Sequence, residues 1–204
     1  MSTVTISDTP FVGNDRLLVG IVLSVLTFWL FAQSVINVVP AMKSSLDISL
    51  ETLTLAVSLS ALFSGCFVVA SGGLADKFGR MRMTTLGLGL SIVGSAMLVV
   101  AQGPGLFLAG RVLQGLSAAC IMPATLALIK TWYEGRARQR AVSFWVIGSW
   151  GGSGLCSFVG GAIATGLGWR WIFVFSIAVA LLALFLLRGT PESRSASASQ
   201  HKLD

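Results

Sequence analysis

Gly72-Gly73-Leu74-Ala75-Asp76-Lys77-Phe78-Gly79-Arg80-Met81-Arg82 sets four charges and three glycines in eleven residues between two long apolar runs. The stretch reads as a loop pinned at a membrane surface, and it decides how the flanking runs are interpreted. Hydrophobic residues make up 54% of the chain and charged residues 11%, against about 25% charged in soluble domains. The composition therefore belongs to the membrane class, and an ordinary soluble fold is excluded.

Outward from this stretch, six segments are long and apolar enough to span a hydrocarbon core of about 30 Å, which takes roughly 20 helical residues. They run from Leu17 to Val39, Leu53 to Gly72, Met83 to Ala101, Leu106 to Ile129, Ala141 to Ala164 and Trp169 to Leu187. The first is read as a permanent span and not a cleaved leader, because it is long, follows a mostly polar segment with one cation, Arg16, and precedes five more spans. The expected organisation is a tail over 1–16, a bundle over 17–190 and a polar linker over 191–204.

Of the fourteen Lys and Arg residues, eleven fall on one side of these spans: Arg16, Lys77, Arg80, Arg82, Lys130, Arg136, Arg138, Arg140, Arg188, Arg194 and Lys202. Lys43 and Arg170 fall on the other. Short cytoplasmic loops carry the excess of basic residues, so both termini are expected in the cytoplasm. The net charge of +6 then faces anionic lipid. A nucleic-acid partner is excluded, because no basic stretch is interleaved with aromatics outside the spans. Trp132, Tyr133, Trp169 and Trp171 lie at span ends, where amphipathic rings favour the headgroup layer. Cys66, Cys120 and Cys156 stand singly in three spans, without metal or redox spacing.

Inside the membrane, Gly148, Gly152, Cys156, Gly160 and Ala164 recur every fourth residue, which stacks small side chains on one face of the fifth span. Gly151, Gly154 and Gly161 widen that strip. The spacing predicts a close-packed seam and leaves open whether the seam also slides. Arg111 is the one ionisable residue placed within the hydrocarbon, where a charge costs about 2.5–3.5 kcal/mol on insertion scales. Two readings stand: its guanidinium snorkels to the nearer surface, or it enters a polar site in the bundle. Gln114 and Gly115 follow on the same helix face. All eight acidic residues fall outside the spans, so no carboxylate presents itself as a proton carrier. Gln33, Ser34 and Asn37 on the first span are candidates to line a substrate path. No metal site and no cofactor are expected.

These motifs resemble the major facilitator superfamily. Its loop signature between helices 2 and 3, G-x-L-A-D-[RK]-x-G-R-x-[RK], is met at Gly72, Leu74, Ala75, Asp76, Lys77, Gly79, Arg80 and Arg82. Arg111, Gln114 and Gly115 match the R-x-x-Q-G pattern of helix 4, whose arginine the family implicates in proton coupling. The antiporter pattern of helix 5, G-x-x-x-G-P-x-x-G-G, is met at Gly152, Gly160 and Gly161, but its Gly-Pro pair is Cys156-Ser157 here. Ser34 to Pro40 and Pro123 resemble positions of fourteen-helix drug:proton antiporters. The first-span likeness is one residue short of that family's pattern and lacks its preceding acidic residue.

The resemblance implies an all-α membrane protein, six transmembrane helices forming one half of a major facilitator fold from two inverted three-helix repeats. An offset of 88 residues aligns Gly72, Gly73 and Arg82 with Gly160, Gly161 and Arg170, as such a repeat requires. It implies further the N-terminal half of a secondary transporter in a bacterial plasma membrane, driven by a proton gradient, with a small molecule such as a hydrophobic cationic drug as substrate. A metabolite symporter or uniporter is the alternative. Asp76 is then expected to hold a helix terminus of a second bundle, with Lys77, Arg80 and Arg82 forming a charge network. That bundle, from the same chain or a second one, lies beyond these residues, and the chain is expected to be inactive alone. Among enzymes, Gly151-Gly152-Ser153-Gly154 fits an intramembrane serine protease, but the one histidine, His201, lies in the tail, so a nucleophile–base pair is excluded.

Overall fold

The structure, a computed structural model, describes residues 11–46 and 48–194, apart from the side chains of residues 33–37 and 40. Seven α-helices follow one another: α1 (Asp15–Leu46), α2 (Leu50–Phe78), α3 (Arg80–Val100), α4 (Pro104–Trp132), α5 (Gly135–Val146), α6 (Gly152–Gly166) and α7 (Arg170–Leu187). A π turn over Ile147–Gly151 joins α5 to α6, so these three form one continuous fifth span. Among the described residues, six helical spans are thus long and apolar enough to cross a membrane, and the chain is a multi-pass membrane protein.

Local chemistry sets the helix ends. Asn14 Oδ1 accepts from the Leu17 amide at 2.8 Å and caps α1; Ser49 Oγ does the same for α2 through Thr52, each satisfying a donor that the first turn leaves unpaired. Pro104 opens α4, where a missing amide proton is harmless. Gly79 (φ 123°) and Gly168 (φ 100°) sit at the α2–α3 and α6–α7 turns, in a region that side chains with a Cβ avoid. The pair supports the repeat. Shifting the bounds of α2 and α3 by 88 residues gives 138–166 and 168–188, against an observed end of α6 at Gly166 and a span of Arg170–Leu187 for α7.

The signature stretch departs from its expected form. Residues 72–78 continue α2 and residues 80–82 begin α3, leaving Gly79 as the whole turn. Leu, Ala, Lys and Phe between Gly73 and Gly79 carry no penalty large enough to stop a helix. The positive φ of Gly79 does stop it, and its amide closes α2 onto the Ala75 carbonyl at 3.0 Å.

Helix α4 is the centre of the bundle, packed against α2 and α3 and touching α1. Its seam with α3 was not anticipated. A Cβ on Gly94 would stand 2.9 Å from the Gly110 carbonyl, and one on Gly87 would stand 2.7 Å from Ile121, so α3 and α4 meet almost backbone to backbone. Two apolar clusters fill the ends of the bundle, one around Phe31, Leu98, Phe107 and Phe173, the other around Leu17, Ile21, Ile121 and Tyr133.

Two of the four aromatic residues at span ends are buried in the bundle and are not surface anchors. Tyr133 and Trp169 are each 4% exposed, whereas Trp171 is 51% exposed. Tyr133 lies against Gly13 and donates to the Asn14 carbonyl at 2.6 Å. Trp169 packs edge-on against Phe107 and Phe173. A ring near a span end follows its packing opportunity first and the headgroup layer second.

Candidate functional site

Two clusters of the expected residues come together, one inside the bundle and one at its basic end. Arg111 is fully buried, so the snorkelling reading is excluded, and its guanidinium meets partners from three helices. It donates to the Phe31 carbonyl of α1 at 2.8 Å, the Ala56 carbonyl of α2 at 3.3 Å, Ser60 Oγ of α2 at 2.8 Å and Gln114 Oε1 at 2.8 Å. Ser60 can accept because its own proton goes to the Val57 carbonyl. Gln114 then donates to Ser95 Oγ of α3 at 3.2 Å. One arginine and one amide therefore tie α1, α2, α3 and α4 together, and every partner is neutral.

Gly115 makes that convergence possible. A Cβ there would lie 2.5 Å from the Ser60 carbonyl, far inside contact distance. The glycine lets α2 approach α4 until Arg111 reaches two of its residues. Ser60 and Ser95 were not anticipated; a serine on each of the helices flanking R-x-x-Q-G is too common a feature to single out by pattern.

At the other cluster, Arg80 donates to Asp76 Oδ1 from Nε at 3.1 Å and from Nη2 at 2.8 Å, and reaches Thr131 at the end of α4. Asp76 thus has an ion-pair partner within its own signature, Arg80, one member of the expected charge network. Lys77 is exposed, its ammonium 5.7 Å from the Phe78 ring, and shares no ion pair with this group among the described residues. Leu74 is exposed, and Gly72 faces Pro123 of α4 at van der Waals distance.

The segment after α7 joins this cluster, although it was expected to be the start of a linker. Glu192 Oε1 accepts from the Met81 amide at 2.9 Å and Oε2 from the Arg82 amide at 3.0 Å; the Arg80 amide donates to the Ser193 carbonyl at 3.0 Å. Arg82 Nε lies 3.9 Å from the same carboxylate. The first turn of α3 holds no acidic residue, so Glu192 supplies the anion that its helix dipole favours. A Cβ at Gly79 would stand 2.4 Å from this carboxylate, so any larger residue there also displaces the Glu192 side chain. The signal was legible only as an acid just past the last span.

The fifth-span seam forms as expected on one face and not on the other. Gly148, Gly152, Cys156 and Gly160 are buried; Gly148 faces Val22, and Gly152 faces Leu26 and Trp29 of α1. The Cys156 sulfur lies 3.9 Å from the Leu26 carbonyl. Gly154 and Gly161 meet nothing within 4 Å, so they do not widen the seam but open outward. The irregularity of this span is the π turn at Ile147–Gly151, upstream of Cys156-Ser157. Gln33, Ser34 and Asn37 lie in α1, but their side chains are outside the described residues.

The family profile described as Major Facilitator Superfamily matches residues 17–203. Quinolone resistance protein NorB of Staphylococcus aureus, strains JH9 and Newman among them, is 60% identical over 198 residues, which covers 97% of this chain and 43% of the relative. The chain thus spans under half the length of these relatives. Two solved structures share the fold. The proton:xylose symporter XylE bound to 6-bromo-6-deoxy-D-glucose superposes with a TM-score of 0.77 at 18% identity, over 88% of this chain and 45% of that one. A peptide transporter POT mutant with sulfate gives 0.74 at 17% identity, over 91% and 42%. With the signature turn at Gly79, the Arg111–Gln114 cluster and the profile match in agreement, the chain belongs to the major facilitator superfamily and has the fold of one six-helix half.

Proposed function

We propose that this chain is the N-terminal half of a proton-coupled exporter of hydrophobic drugs, and that a second six-helix bundle completes the pathway. The observation that carries this reading is the 60% identity over nearly the whole chain to a protein named for quinolone resistance. In this reading the eleven basic residues mark the cytoplasmic face, and both termini lie there. The substrate is held between the halves near the midplane, and the proton gradient supplies the energy. Arg111 serves proton coupling through its contacts: a shift of α1 or α2 breaks bonds to Phe31, Ala56 or Ser60 and frees a guanidinium donor towards the space between the halves. The turn at Gly79, with Asp76, Arg80 and Glu192, holds the cytoplasmic ends of α2, α3, α4 and α7 together as one rigid edge.

The test is efflux of norfloxacin and of a fluorescent cationic dye from cells expressing this chain alone or with a complementary six-helix bundle. Efflux that requires the second bundle, collapses with a protonophore and falls with Arg111→Ala supports the reading. Energy-dependent efflux by the chain alone overturns the need for a second half. The substitution of Cys156-Ser157 for the family's Gly-Pro pair favours a symporter or uniporter instead; uptake of the drug down its gradient into cells with the proton gradient collapsed selects that alternative.

A further inference from the structure

A groove of about 260 Å³ opens between α1 and α5 at the basic end of the molecule. Val19, Val22 and Leu23 of α1 and Phe144 of α5 form its apolar walls, and Val19 and Phe144 are close to half exposed. At its mouth stand one anion and one cation, Asp15 and Arg140, with Arg140 Nη1 3.2 Å from Asp15 Oδ1. The Arg140 guanidinium also lies over the Phe144 ring at 5.6 Å, which keeps it at the rim. Neither the signature cluster nor the Arg111 cluster uses any of these residues.

We propose that this groove binds a phospholipid whose headgroup carries an amine beside its phosphate, with the acyl chain along the apolar walls, the phosphate on Arg140 and the amine on Asp15. The walls exclude a polar solute, and at this depth in a multi-pass protein the abundant apolar molecule is lipid. The mouth then selects the headgroup. An anionic lipid without an amine gains Arg140 but meets the Asp15 carboxylate, whereas a headgroup of both signs satisfies each side. The existing ion pair is no obstacle. Its side chains are 59% and 75% exposed, and a pair that remains hydrated contributes little and exchanges partners readily. Arg140 keeps unused donors in a fork suited to two phosphate oxygens, and Asp15 keeps its second oxygen. Arg136, exposed and four residues before Arg140 on the same face of the short helix, adds attraction for phosphate near the groove.

The experiment is native mass spectrometry of the purified full chain, loaded with equal amounts of dioleoyl phosphatidylethanolamine, lysyl-phosphatidylglycerol and phosphatidylglycerol. At least one amine-bearing lipid is expected to be retained about threefold over phosphatidylglycerol, the scale of one exposed charge contact. Asp15→Asn is expected to remove that preference, Arg140→Gln to lower retention of all three lipids, and Lys130→Gln, an exposed cation outside the groove, to leave the ratio unchanged. If Asp15→Asn does not fold, Val19→Trp, which fills the groove while keeping both charges, is expected to abolish retention. Equal retention of all three lipids, or a preference that survives Asp15→Asn or Val19→Trp, overturns the proposal. A photoreactive residue at Val19 separates occupants: lipid adducts support it, and adducts to a second polypeptide overturn it.

Discussion

Arg111 carries its charge among neutral oxygens alone: two carbonyls, one hydroxyl and one amide. A lysine retains the charge but offers three donors from one point and cannot span acceptors on three helices. Arg111→Lys is therefore expected to destabilise the bundle by about 2 kcal/mol and Arg111→Ala by about 3–4 kcal/mol, since buried acceptors lose a charged donor and alanine also leaves a void. Thermal unfolding of the purified chain in detergent measures both; equal melting temperatures for lysine and arginine would remove the geometric argument. Gly115 offers a sharper case. Its added Cβ meets backbone, which cannot swing aside, so Gly115→Ala is expected to push α2 from α4 at about 1–3 kcal/mol. Gly154→Ala, with open space around it, is expected to gain up to about 1 kcal/mol of helix propensity. A neutral Gly115→Ala would mean that the helices reseat without strain.

Among elements, the ends of helices at the basic face are fastened by single side chains, and the Tyr133 fastening has a pH signature. Burial, with Asp15 adding to it, pushes the Tyr133 phenol from its ordinary value near 10 up to about 12. The folded state thus holds this proton more tightly than the unfolded state does. Its contribution to stability is complete below pH 10 and is lost as pH rises from there through 12. Tyr133→Phe is expected to flatten that alkaline loss and leave the slope at neutral pH unchanged, as read from denaturation midpoints between pH 7 and 12. Glu192→Ala is expected to cost about 1 kcal/mol through the uncapped first turn of α3, with faster amide exchange at Met81 and Arg82 as the local readout; unchanged exchange there would show that the cap is dispensable. Element number, order and type were legible because apolar runs of roughly 20 residues have few other fates. The Gly79 turn was legible as a motif but not in its length, since glycines inside a packed helix look the same as glycines in a loop. Arg111 with Gln114 was legible by cost and spacing. Ser60, Thr131 and Glu192 were not, because each acquires meaning only when a distant helix is brought to it.

At the scale of the whole molecule, burial is lopsided. Within the most apolar window of each span, 61% of the residues of α4 are buried, against 17% for α2 and 28% for the fifth span. Bilayer lipid alone satisfies exposed leucine and phenylalanine, and α2 and α6 carry both, at Leu62, Phe67, Leu155 and Phe158. Lipid gives no reason for exposed glycine, which weakens a helix and covers no apolar surface. Yet Gly65 and Gly73 on α2, and Gly154 and Gly161 on α6, all open outward with nothing within 4 Å. Gly154 and Gly161 are seven residues apart and share a face. Small residues on an outward face mark where another helix backbone comes close, so under the proposed function these are the positions expected to receive a second bundle. Leucine at both Gly154 and Gly161 is accordingly expected to leave the melting temperature of this chain level or higher, while lowering drug efflux at least about tenfold in the presence of the complementary bundle, as one lost close helix contact of about 1.4 kcal/mol suffices. The same pair of leucines placed at Gly87 and Gly94, inside the α3–α4 seam, is expected to unfold the chain. Efflux that survives leucine at 154 and 161, measured at equal membrane abundance, would move the expected interface away from α6, because a backbone-to-backbone contact has no room for two isobutyl groups.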